Sequence, residues 1–138
     1  MDLLTIKVLL DTSMLMMIAE QRIDIFSQIQ ELLQGKIDFI TPKMVLEELA
    51  RIAKEKGARG RHARLALELT EKCKLDMTDP AEGESTDEYL ARLAREMRGV
   101  VATGDTDLRR TLRNANIPVI YVRRGSRLAV EGIEPSYR

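Results

Sequence analysis

The sequence predicts an α/β fold whose mainly parallel sheet is covered by helices on both faces. Three observations carry that expectation. Short, nearly continuous apolar runs (IKVLL at 6–10, VVAT at 100–103, PVIYV at 118–122) have the look of strands buried on both sides. Amphipathic helical stretches separate the strands, which is the alternation of βαβ units. A chain of 138 residues with 44% apolar and 32% charged side chains suffices for one domain with a real core.

The first strand, 6–10, ends abruptly at Asp11, and Thr12 and Ser13 offer helix caps. Residues 14–20 and 23–33 read as two helices split near Gln21 and Arg22, with Gly35 as a stop. A second short strand covers 39–41. Thr41 then caps, and Pro42 opens, a helix to about Lys56, where Gly57 and Gly60 break the chain. A further helix over 61–73 leads to a weak strand at 75–77. The acidic stretch 79–84, which holds Pro and Gly, is a loop. Ser85 and Thr86 cap a helix to Arg98, ended by Gly99. After the strand at 100–103, residues 104–106 turn into a helix to Asn114, and 118–122 is the last strand. Residues 124–138 read as an extended or partly ordered tail. The domain is placed at 1–125, and the C-terminal tail, packed on it or extending from it, at 126–138.

Composition removes several functions. Aromatics make up 4% and Trp is absent, so an aromatic platform for stacked bases is not expected. One Cys excludes a disulfide framework and a Cys-based zinc site. With His62 alone, His-rich metal sites and a Ser-His-Asp triad are untenable. No apolar run approaches the ~18 residues of a membrane span. The N-terminus carries Asp2 and Asp11 and lacks a basic region, so it is not read as a signal peptide. A cytoplasmic protein with no membrane partner is expected.

Net charge is zero, from 22 basic and 22 acidic residues, but the charges are segregated. Residues 51–64 hold six Lys/Arg against one Glu, residues 109–127 hold six Arg and no acid, and residues 76–88 hold six acids and no base.

Sites in open parallel sheets form at the carboxyl ends of the strands. Asp11 and Asp105 sit there directly. Helix phase selects two more acids. On the helix opened by Pro42, Val45, Leu49 and Ile52 mark the inward stripe; Glu48 lies about 60° from Val45 and Glu47 roughly 160° away. On the helix from Thr86, Asp87 falls about 60° from Leu90 and Glu88 about 160° away. Both inward acids lie near the starts of their helices, at the same sheet edge. Four carboxylates there cannot all ionise without compensation, and a hard divalent cation held by oxygen ligands, Mg²⁺ or Mn²⁺, supplies it. Each acid also has a plainer reading, as a helix cap or a complement to the helix dipole.

The motifs KVLLDTSML, ITPKMVLEELARI, STDEYLARLA and VVATGDTDLRRTLRNANIPVIYV, in this order and spacing, resemble those of the PIN-domain ribonucleases, small archaeal members above all. The resemblance spans about residues 5–125. It implies a three-layer α/β/α sandwich with a central parallel sheet, and Mg²⁺- or Mn²⁺-dependent cleavage of RNA. It matches Asp11, Glu48, Asp87 and Asp105 to the catalytic, metal-binding acids, with Asp107 as a further metal-site residue and Ser13 and Thr103 in support. Two settings are common in the family. One is the toxin of a toxin–antitoxin pair, the VapC type, which implies an antitoxin partner. The other is processing of ribosomal RNA.

Basic side chains are needed to bring RNA to an acidic pocket. Arg59 and Arg61 in the first basic stretch and Arg109 and Arg110 after Asp105 are the expected phosphate contacts, and Gly57 and Gly60 are read as loosening the first of these. The helices at 14–33 carry more Met, Ile and Leu than one buried stripe needs. Core packing accounts for most of them, and a face between copies in a homodimer or larger oligomer for the rest. The competing readings are a catalytically silent RNA-binding or assembly module with the same fold, and a phospho-receiver. The receiver is disfavoured because Thr12 and Ser13, not acids, follow Asp11, and Arg123 rather than Lys follows the last strand.

Overall fold

A computed structural model describes residues 5–133. Its sheet has six strands in the order β3-β2-β1-β4-β5-β6. They are β1 (Ile6–Leu10), β2 (Ile37–Pro42), β3 (Lys74–Asp76), β4 (Val100–Ala102), β5 (Val119–Val122) and β6 (Leu128–Glu131). All neighbours are parallel except β5 and β6. Helices α1 (Thr12–Gln21), α2 (Ile25–Leu33), α3 (Lys43–Ile52) and α4 (Ala58–Leu69) lie in connections that step from β1 out to β3. The chain then reverses direction, and α5 (Thr86–Met97) and α6 (Thr106–Asn114) connect strands on the way to β5. Right-handed crossovers therefore put α1–α4 on one face and α5 and α6 on the other, which is the three-layer sandwich.

Burial follows from this layering. Val8, Leu9, Leu10, Val101, Ala102, Val119 and Ile120 are fully enclosed, as central parallel strands require. Met14, Leu15, Ile25, Ile29, Val45 and Leu49 cover one face, and Leu90, Leu93, Leu108 and Leu112 the other. Phe26 of α2 meets Phe39 of β2 edge to face, with ring centroids 4.9 Å apart.

Several sequence expectations are corrected. The helix after β1 starts at Thr12, because Asp11 itself is the cap: its carboxylate accepts the Met14 N–H. Thr41 does not cap α3. Thr41 and Pro42 end β2, and the Thr41 hydroxyl is buried beside the Cys73 thiol. The α3 helix stops at Ile52, four residues before the expected Lys56. Gly57, at φ +86°, makes the turn into the next helix. Gly60 is no break: it lies inside α4, where a Cβ would stand 1.9 Å from the Glu55 carbonyl oxygen. The basic stretch is thus folded rather than loose, with Arg64 donating to the Ala53 carbonyl at 2.7 Å. Part of the expected tail is strand, since β6 pairs antiparallel with β5; residues 134–138 lie outside the described residues. The Met- and Ile-rich helices at 14–33 are mostly core: Met14, Met16, Ile18, Ile25, Ile29 and Leu33 are buried in the chain itself. Among the described residues the exposed large apolar side chains are instead Leu65, Leu75 and Met77. Among the described residues no helix is long and apolar enough to cross a membrane.

Candidate active site at the carboxyl edge of the sheet

β1 and β4 are neighbours, so the turns that follow them lie side by side. Asp11 leaves β1 and caps α1; Asp105 follows β4 and caps α6, its Oδ1 accepting the N–H groups of Asp107 (2.8 Å) and Leu108 (3.2 Å). The plainer cap reading is thus true of both residues, and it places both carboxylates at helix N-termini, where backbone N–H groups and the helix dipole favour negative charge.

Two hydroxyls lock the turns together. The Gly104 N–H donates to Ser13 Oγ at 2.9 Å, and Ser13 donates to Asp11 at 2.8 and 3.0 Å to its two oxygens. In parallel the Asp105 N–H donates to Thr103 Oγ1 at 2.9 Å, and Thr103 donates to Asp11 Oδ2. Each hydroxyl accepts a backbone proton on one side, so its own proton is directed at the carboxylate. With the Met14 N–H at 2.8 Å, Asp11 has a full set of donors. Burial nevertheless wins: desolvation pushes the Asp11 carboxyl up to about 6, the nearby Asp105 charge adds to it, and the bonds from Thr103, Met14 and Ser13 oppose it.

Asp87 comes from α5. It is half-buried while its neighbour Glu88 is exposed, as helix phase requires. Its carboxyl is raised by desolvation first, then by the charges of Asp105 and Asp107. Asp11, Asp87, Asp105 and Asp107 therefore share one electrostatic neighbourhood. Glu88 has a structural task that sequence reasoning missed, although the S-x-x-E spacing signals it: with Ser85 it closes a capping box, each side chain bonded to the other's backbone N–H. On α3, Glu48 is half-buried and Glu47 exposed. Glu48 has no bond to the other acids.

Sequence reasoning gave the acidic loop 79–84 no role. The structure ties this loop to α5. Arg92 grips Glu84 with two bonds, at 2.8 and 2.9 Å, and donates to the Asp79 carbonyl at 3.2 Å; the Ala81 N–H also bonds Glu84. Lys43 pairs with Asp79. The buried Tyr89 hydroxyl donates to the Thr78 carbonyl at 2.8 Å, and its oxygen faces the N–H groups of Lys43 and Met44 at the otherwise uncapped start of α3. Tyr89 thereby connects the helix of Asp87 to the helix of Glu48. Arg92 and the Ala81 N–H hold the Glu84 carboxyl down to about 2. This folded-state value lies below the ordinary 4.5, so the stabilisation is complete above pH 4.5 and is lost as pH falls toward 2. Arg92→Gln is expected to speed amide exchange across 79–84 at neutral pH, and its melting temperature should converge with wild type near pH 2. Equal exchange rates at neutral pH would show that the clamp does not order the loop.

The expected phosphate contacts are placed differently from one another. Arg59 is exposed and pairs with Glu55. Arg61 is exposed on α4. Arg110 is exposed, 3.5 Å from Asp107. Arg109, expected to face solvent, bonds Glu131 of β6 at 2.8 and 3.3 Å, and its guanidinium lies 3.4 Å from the Tyr121 ring centroid.

The donor set is all oxygen, and the charge of Asp105 raises the carboxyls of both Asp11 and Asp87, so the set suits a hard cation in kind and in charge. Among the described residues no three such side chains stand close enough together to enclose an ion.

The family model that describes a PIN-like domain matches residues 8–125, and the chain belongs to this family. It is 30% identical over 132 residues to Ribonuclease VapC4 of Methanocaldococcus jannaschii, covering 92% of this chain and 98% of that protein. Among solved structures it is similar to the PIN domain endonuclease Utp24, with a TM-score of 0.73, 23% identity and 92% of each chain covered. It also resembles a chain of VapBC-1 from nontypeable Haemophilus influenzae, with a TM-score of 0.58, 15% identity and 79% of this chain and 94% of that one covered. These two likenesses are of fold.

Proposed function

We propose that this chain is a divalent-metal-dependent endoribonuclease of the VapC type. The observation that supports it most is the pairing of Asp11 and Asp105 in neighbouring turns at the carboxyl edge, joined through Thr103, with Asp87 of α5 near enough to feel the charge of Asp105. The likeness to VapC4 over nearly the whole of both chains favours an RNA substrate and an antitoxin partner over a role in processing ribosomal RNA. All four acids are present, which favours catalysis over a silent RNA-binding module.

In this reading Asp11, Asp87 and Asp105 hold Mg²⁺ or Mn²⁺, with Asp107 and Glu48 at the margin of the site. The bound cation supplies Lewis-acid chemistry: it lowers the pKa of water and stabilises the leaving oxygen of the phosphodiester. Ser13 and Thr103 keep Asp11 oriented and ionised. The N-termini of α1 and α6 offer a positive environment to a phosphate that approaches the acids. Arg110, beside Asp107 in the first turns of α6, supplies a phosphate contact at this edge, whereas Arg59 and Arg61 open α4 next to Glu55, past the far end of α3.

Cleavage of mixed single-stranded RNA with Mn²⁺, Mg²⁺ or EDTA is the test, and it should require the metal. In the same assay Glu48→Gln is expected to lower activity about tenfold or more, and Glu47→Gln to leave it within about twofold. Equal losses would sink the assignment of Glu48.

A further inference from the structure

The turn between β5 and β6, residues 123–127, reads RRGSR. Gly125 at φ +69° supplies the reversal, and the Arg123 N–H closes it on the Arg127 carbonyl at 2.6 Å. Arg123, Arg124 and Arg127 are exposed, and none of the three enters an ion pair among the described residues. They contrast with Arg109 close by, whose charge is spent on Glu131.

The three arginines border a cavity of about 580 Å³ whose other walls are Arg109, Tyr121 and Val122. Arg123 and Arg127 also border a second groove, of about 550 Å³, against α2. The cations crowd the turn although mutual repulsion disfavours it; Glu31 lines the second groove but forms no ion pair with any of the three. A guanidinium without a carboxylate partner presents its fork of donors to whatever arrives, and that fork matches two oxygens of a phosphate.

Position decides what arrives. β5 runs parallel to β1 and β4, so its end, and the turn after it, lie on the edge that carries Asp11 and Asp105. The hairpin stands one to two strands from β4, about 5–10 Å along the edge at the usual strand spacing. We infer that this hairpin is a backbone-phosphate subsite, which holds the RNA strand beside the acid cluster. The inference rests on the nuclease reading and adds residues that it does not use. The Arg109 guanidinium covers one face of the Tyr121 ring and takes that face from a stacking base. The guanidinium forks of the subsite are matched to phosphates, contacts that do not depend on sequence.

The test compares Arg123→Gln/Arg127→Gln with Arg95→Gln/Arg98→Gln. The second pair are exposed arginines at the far end of α5, on the opposite edge, and the change of charge is the same. Binding of short, labelled single-stranded RNAs in EDTA is followed by anisotropy across a salt series, with turnover in Mn²⁺ measured alongside. The hairpin pair should weaken binding roughly tenfold at low salt for every sequence, and flatten the salt slope by about 1.4. KM should rise while kcat at saturating RNA is kept. The control pair should track wild type. Equal affinity and slope in both pairs would overturn the subsite while leaving the nuclease reading intact. Wild type that neither binds nor cuts RNA would overturn both. Binding of a poly-glutamate peptide by the hairpin, with RNA affinity unchanged by the substitutions, would overturn the subsite in favour of an acidic protein partner.

Discussion

Asp11→Asn is expected to remove RNA cleavage, by about a hundredfold or more, and at the same time to make the metal-free protein more stable. Both results come from one cause. Burial raises the Asp11 carboxyl from 3.8 to about 6, so above pH 6 the fold carries an ionised group that it would rather hold neutral. A raised acid costs stability. The cost is absent below the ordinary pKa, grows between about pH 4 and 6, and is complete above that. At about 1.4 kcal/mol per pH unit the full cost is roughly 3 kcal/mol. Asn keeps a cap oxygen for the Met14 N–H and carries no charge. Asn turns an NH2 toward the Thr103 hydroxyl and gives up that bond, so in EDTA at pH 7.5 the variant should melt only about 2–5 °C above wild type, with the gain gone near pH 4. A variant that melts below wild type at pH 7.5 would show that the donors to Asp11 outweigh its desolvation. A bound divalent cation should narrow the gap by stabilising only wild type.

Thr103→Val is the second large effect. The side chains are alike in shape, but Val offers no hydroxyl. Asp11 Oδ2 then loses its Thr103 donor, keeping only the longer bond from Ser13, and the Asp105 N–H loses its acceptor, at a side chain that is 1% exposed. A buried bond to a charged group is worth about 1.5–3 kcal/mol, and the orphaned N–H adds to the loss. The expected outcome is destabilisation by about 2–4 kcal/mol at neutral pH, with lower activity because Asp105 is no longer fixed to Asp11. Thr103→Ser, which keeps the hydroxyl, should recover most of both. If Val and Ser behave alike, the methyl packing of Thr103 matters and its bond does not.

Strand identity was legible in the sequence because buried parallel strands are apolar on both faces, as Leu9, Val101 and Ile120 are. The orientation of Glu48 against Glu47, and of Asp87 against Glu88, was legible because helix periodicity is a local property. What escaped was set by partners far away in the chain. Gly60 reads as a breaker, and only the nearness of the Glu55 carbonyl explains it as a point of close approach. LAVE at 128–131 is too short to announce a strand and becomes one by pairing with β5. Arg109 has a solvent-facing phase, yet Glu131 and Tyr121 claim it once β6 is in place. The two-way grip of Arg92 on Glu84 likewise depends on how the loop folds back over α5.

The bond between Thr103 and Asp11 spans 92 residues. Asp11 is synthesised 92 residues before Thr103 and waits for that length of chain before its neighbour exists. Until β4 docks beside β1 there is neither a burial site for Asp11 nor an Asp105 next to it. A chain that cuts RNA would be synthesised within reach of messenger, transfer and ribosomal RNA at once. On the nuclease reading, the site closes only when β4 has docked beside β1, and slow, non-local pairing becomes a safeguard for the machine that makes the chain.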